Sequence, residues 1–112
     1  MRAEHEDLLR KLALNEEGVL ASLLGTELID SEPAGLDAKT AARVRLAGLI
    51  ALGSAPASYQ WCVTNALAAG ASDAEVVAVL AALAPIVGSA RVNSAAPEVA
   101  LAIGCDLDLY DG

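Results

Sequence analysis

Few of the 112 residues could carry chemistry, and most of those gather around one cysteine. Cys62 follows Tyr59, Gln60 and Trp61 and precedes Asn65, in a chain otherwise poor in large or polar groups. A thiolate at this position would be a nucleophile or a proton-transfer group. A neutral thiol would be a small apolar filler, because free cysteine is among the most buried residue types. Its place well past the first turn of a helix denies it the dipole assistance that activates cysteines at helix starts. Tyr59, Trp61 and Asn65 read either as a pocket wall or as anchors of a subunit contact. Arg91 and Asn93 lie near a helix start, where capping and carbonyl contacts account for them; Arg91 could also hold a carboxylate ligand. Cys105 reads as an incidental tail residue. His5, the only histidine, lies among acids as a solvated residue, and no cysteine or histidine cluster has metal-ligand spacing. No metal and no cofactor is therefore expected.

Helices must position these residues. Residues 3–14 present Leu8, Leu9 and Leu12 on one side with acids in the first turn, and predict a first helix. Asn15 reads as the cap of a second, Glu16 to Leu24, ended by Gly25. The segment from Thr26 to Leu36, with Pro33 and Gly35, reads as a loop. Asp37 should cap a third helix, Ala38 to Leu52, closed by Gly53, with Leu46, Leu49 and Ile50 on one stripe and Lys39 and Arg43 on another face. A fourth, opened by Ser54-Ala55-Pro56 and running to Ala69, lines up Tyr59, Cys62, Val63 and Ala66. Gly70 then closes it and Ser72 opens a fifth with Glu75 completing a capping box, so an antiparallel helix pair is expected around this hinge. The fifth helix should bury Val76, Val79, Leu80, Leu83 and Val87, and Pro85 should kink it. A sixth follows Gly88, and Pro97 either kinks it or opens a last short helix to Ile103. The tail after Gly104 alternates leucines with aspartates and reads as frayed or lightly docked.

Composition bounds the answer. The chain is apolar over 55% of its residues with 3% aromatic, and alanine supplies much of the apolar share, which predicts an all-α protein of one domain spanning 1–112. A net charge of -8 repels phosphate backbones and argues against nucleic acid. Between Arg45 and Arg91 the only charged residues are Asp73 and Glu75. Helices so short of polar surface cannot all show a solvated face in a small monomer, so burial against other subunits is expected. A membrane is the rival explanation, and it fails because the run from Val76 to Ala90 falls short of the ~20 residues a span needs and contains Pro85. An acidic amino terminus unlike a signal peptide and two cysteines point to the cytoplasm.

Leu36-Asp37-Ala38-Lys39-Thr40, the hinge Ala66-Leu67-Ala68-Ala69-Gly70-Ala71-Ser72 with Glu75-Val76, and Gly88 with Asn93 together resemble the carboxymuconolactone decarboxylase and alkylhydroperoxidase D-like proteins. The resemblance covers about half the chain and implies an all-helical homo-oligomer, a trimer or hexamer. Peroxidase-type members carry a CxxC pair at the start of the helix before the hinge, and a histidine four residues after the second cysteine. Here Ala55 and Ser58 stand at the pair and Cys62 at the histidine; Ala41-Ala42 stand where Arg-Glu is common. A thiol peroxidase needs an attacking and a resolving thiol within reach, so this chemistry is not expected. In decarboxylase-type members the histidine is an acid/base group, which by position makes Cys62 the candidate catalytic residue. It would need a neighbouring cation, with Arg43 first and Arg45 next.

Two functions follow. One is a decarboxylase-like protein acting on a small carboxylated lactone or related metabolite, with Cys62 catalytic and Arg43, Tyr59, Trp61, Asn65, Arg91 and Asn93 binding the substrate. The alternative is a non-catalytic oligomeric binding or assembly subunit. They differ in whether Cys62 lines a polar cavity or sits in a dry core.

Overall fold

The computed structural model describes residues 2–24 and 35–105. Gly25, expected to end the second helix, residues 26–34 of the loop expected over 26–36, and the tail over 106–112 lie outside the described residues. Six helices and no strand occur among the described residues: α1 Arg2–Ala13, α2 Val19–Leu24, α3 Ala38–Leu52, α4 Pro56–Ala68, α5 Asp73–Val87 and α6 Ser89–Ile103. The chain divides into two compact units, Met1–Ser31 and Glu32–Gly112.

In the first unit, Asp7 pairs with Lys11 at 3.1 Å and Arg10 at 3.6 Å along the outside of α1. Asn15 does not open the second helix as expected. It takes φ 54° and closes α1: its N–H bonds the Leu12 carbonyl while the Glu16 N–H reaches back to Lys11. Those two bonds satisfy carbonyls that the last turn leaves orphaned, and asparagine tolerates the left-handed backbone they require. α2 therefore begins at Val19, three residues later than the cap reading placed it.

In the second unit, each helix begins and ends where local chemistry dictates. The Asp37 carboxylate accepts the Thr40 N–H at 2.7 Å and opens α3. Pro56 sits in the first turn of α4, where its missing N–H has no helical partner to lose. Gly70, at φ 104°, closes α4 with its N–H on Leu67 and the Ala71 N–H on Ala66. The capping box follows at once: Ser72 N–H donates to Glu75 Oε1 at 2.9 Å, and Glu75 N–H donates to Ser72 Oγ at 3.1 Å. α6 remains one helix through Pro97, which removes the sequence alternative of a separate last helix. α5 likewise continues through Pro85. The carbonyls that lose their donors, on Ala81 and Asn93, belong to exposed residues and can turn to water.

The core draws on all four helices: Leu46 and Ile50 from α3, Tyr59, Cys62, Val63 and Ala66 from α4, Val76 from α5, and Ala95 and Val99 from α6. α4 packs chiefly on α6 and α3, while α5 rests on α6 and α3 and touches α4 only lightly. The packing centre is thus α4 between α3 and α6, rather than the helices joined by the Gly70 hinge. Small residues at fully buried positions, Ala66 on α4 and Ala95 on α6, allow close approach. α5 buries only Val76 completely, with Val79, Leu80 and Leu83 packed against the rim of the core.

Candidate functional site

Cys62 lies on the buried stripe of α4, 5% exposed, within an apolar cluster. Burial pushes its thiol above the usual range, and the nearby charge of Arg45 opposes that as the smaller influence. The cation acting on the sulfur is therefore Arg45. Arg43 is engaged elsewhere: its Nη1 lies 3.5 Å from Glu75 Oε2, beside Lys39 Nζ at 3.0 Å from the same oxygen. Glu75 is held down to about 2 by the Ser72 backbone N–H first, then by Lys39, with burial opposing and Arg43 adding a smaller pull. Arg43 Nε is enclosed and makes no hydrogen bond.

A second gathering of polar groups lies at the carboxyl end of α3, about 13 Å along the helix from Arg43 at 1.5 Å per residue. Tyr59, whose ring is fully buried, accepts the Ser54 N–H at 2.9 Å through its hydroxyl and donates to the Leu49 carbonyl at 3.4 Å. Arg91 reaches from α6 to donate Nη1 to the Leu52 carbonyl at 3.0 Å. Its guanidinium passes over Gly53, where a Cβ would collide with it. Gly53 also has φ 78°, so both space and backbone favour glycine there. Tyr59 and Arg91 thus both bond backbone at this helix end: Arg91 takes the Leu52 carbonyl, a cation at the negative pole of the helix dipole, while the Leu49 carbonyl that Tyr59 meets also accepts the Gly53 N–H.

The remaining candidates are dispersed. Trp61 and Asn65, four apart, share a neighbouring face of α4, with Trp61 40% exposed and Asn65 half-buried. Asn93 is exposed on α6. The structure brings Tyr59 together with Arg91 and Arg43 together with Lys39 and Glu75, and it gathers neither set at the Cys62 sulfur. Sequence reasoning overlooked Lys39 and Glu75 as partners across α3 and α5, and put Arg43 ahead of Arg45 beside Cys62. The four-residue spacing of Lys39 and Arg43 marked a cationic face, but nothing local showed that the Glu75 capping box would lie against it.

Two grooves on the described surface bear on these residues. One of about 440 Å3 lies between α1 and α2 and is lined by Glu4, Asp7, Lys11, Val19 and Leu23 among others. The other, of about 310 Å3, runs between α3 and α5 from Arg43 past Val44, Val79 and Leu83 to Ile86. Among the described residues no group of three His, Cys, Asp or Glu could hold a metal ion, and no helix is long and apolar enough to cross a membrane.

Comparison with curated proteins gives no match, and neither does comparison with solved structures. The model of the carboxymuconolactone decarboxylase family matches residues 19–102, which takes in α2 to α6, the Gly70 hinge and nearly all of α6. With three quarters of its length matched in this way, the chain belongs to the carboxymuconolactone decarboxylase family.

Proposed function

We propose that this chain is a homo-oligomeric binding or assembly subunit that uses the family's helical fold without its thiol or acid/base chemistry. The observation that carries the reading is the burial of Cys62 in an apolar cluster, with its thiol pushed up rather than down. A thiol so placed is neutral near pH 7 and shielded from a dissolved substrate. The two arginines suggested for a carboxylate already have work: Arg43 pairs with Glu75, and Arg91 caps α3. Ala55 and Ser58, at the start of α4, supply no redox pair.

A second reading keeps catalysis: a decarboxylase-like activity on a small carboxylated lactone, with Cys62 as the proton-transfer group and Tyr59, Asn65 and an arginine positioning substrate. One observation favours it. The charge of Arg45 acts on the Cys62 sulfur and would stabilise a thiolate if that part of the core opened.

The rate at which Cys62 reacts with a small thiol reagent across pH, in a Cys105→Ser background, separates the two. The subunit reading expects modification no faster than opening of the fold, with no midpoint below the ~8.5 of a free thiol. Rapid modification of the folded chain with a midpoint well below that value would overturn it and favour the decarboxylase-like reading.

A further inference from the structure

We infer that the α3/α5 groove binds a small amphipathic monocarboxylate, its carboxylate on Arg43 Nε and its alkyl chain along the groove. The inference names a ligand for the binding role proposed above and rests on that reading. Among the described residues, Arg43 Nε is the one buried side-chain polar atom left without a hydrogen bond. An enclosed guanidinium N–H without an acceptor is costly, and folded proteins keep few of them. Glu75 does not meet the need, because it lies 3.5 Å from Nη1 while its carboxylate is already held by Lys39 at 3.0 Å and by the Ser72 N–H at 2.9 Å. A guanidinium carries its five N–H donors on separate edges, so Nη1 can stay with Glu75 while Nε takes a second carboxylate.

The surroundings of Arg43 limit both ends of the ligand. Thr40 also lines the groove, but its side chain bonds the Asp37 carboxylate, which leaves Arg43 as the anchor. Asp37 and Glu75 both feel Lys39 and Arg43, so these two cations are already offset by two acids. A head of one negative charge is therefore accepted more readily than a doubly charged phosphate. Beyond Arg43 the walls are Val44, Ala47, Val79, Leu83 and Ile86, which offer an alkyl chain contact and no competing charge. The volume of about 310 Å3 is at the small end for a ligand site. Val79 to Ile86 covers roughly 10 Å of α5 at about 1.5 Å per residue, room for one chain of medium length.

The test titrates octanoate, octanol and acetate into the unaltered chain, followed by calorimetry and by NMR of the backbone amides and of the Arg43 Nε–H. The expected result is saturable octanoate binding that shifts the Arg43 Nε–H together with the amides of Val44, Ala47, Val79 and Leu83. Octanol, which lacks the charge, and acetate, which lacks the chain, should each bind roughly tenfold or more weakly. Arg43→Lys keeps the charge but not the Nε donor and should bring octanoate down to the level of octanol. Circular dichroism checks that this variant keeps its helices, and the Arg43 Nε–H of the unaltered chain serves as readout if it does not. Octanol binding as tightly as octanoate, octanoate shifts confined to other helices, or no saturation below the concentration at which octanoate forms micelles would each overturn the inference. The Cys62 modification rate tests the underlying reading separately. An inert Cys62 without octanoate binding strikes the ligand alone, whereas fast modification with a lowered midpoint strikes that reading even where octanoate binds.

Discussion

Glu75 joins two structures through one carboxylate: Oε1 closes the capping box of α5 on the Ser72 N–H, and Oε2 receives Lys39 and Arg43 from α3. All of these favour the ionised form, which is why its pKa falls from the ordinary 4.5 to about 2. A carboxylate whose folded pKa lies below its unfolded value adds stability that is complete above the unfolded pKa. That contribution is lost as pH falls from about 4.5 towards 2. Glu75→Gln preserves the reach to the Ser72 N–H, since glutamine also serves in capping boxes, but removes the charge. Urea midpoints measured between neutral pH and pH 2 should show the variant less stable near neutrality and with a shallower acid limb. Asp37, lowered chiefly by the Thr40 N–H, keeps part of that limb in both chains. At this scale the sequence was legible wherever a residue acts on its own turn: the Asp37 cap, the Ser72–Glu75 box and the buried face of α4 all stand as their spacing predicts. Partnerships between helices, such as Lys39 with Glu75 thirty-six residues on, have no local signal.

Helix ends show the same division. The bounds of α3 follow from Asp37 and Gly53, but the reason Gly53 must remain glycine comes partly from α6, through the Arg91 guanidinium above it. Gly53→Ala meets two penalties, an unfavourable positive φ and the displacement of Arg91 from the Leu52 carbonyl. Positive-φ strain alone is of order 1–3 kcal/mol, and displacing the exposed guanidinium, the far end of a flexible side chain, adds a smaller loss. In Arg91→Ala the second penalty has already been incurred. Chemical denaturation of the two single variants and the double variant should therefore give a double-variant loss smaller than the sum of the singles. Gly70→Ala has open space at its Cβ and should show no such coupling to Arg91. Asn15 is the instructive miss among helix ends, because asparagine serves both to begin a helix and to end one in the left-handed conformation. The bonds from Asn15 and Glu16 back into α1 decide it, and they depend on three-dimensional closure that spacing alone does not reveal.

For the molecule as a whole, the imbalance of fifteen acids against seven bases opposes any close approach of two copies. Salt screens that repulsion over a Debye length of about 10 Å at 0.1 M, and it leaves apolar contact intact or strengthens it. If the chain self-associates as proposed, that association should accordingly tighten as ionic strength rises, measured by sedimentation at several salt concentrations. Weakening with salt would instead mean that ion pairs hold the copies together. The family and the all-helical class were legible from the hinge and from the alanine-rich composition. The arrangement of helices was less so, because the chain joins α4 to α5 at Gly70 while the fold packs α4 against α6 and α3. Connection in sequence and partnership in space are set by different forces, the first by turn chemistry and the second by where buried small residues permit close contact. The reach of Arg91 to Leu52 spans 39 residues, with α4 and α5 lying between the two ends. Closing a contact over so long a separation early in folding is costly in chain entropy, so Arg91→Ala is expected to speed unfolding more than it slows refolding, which stopped-flow rates of the two chains would check.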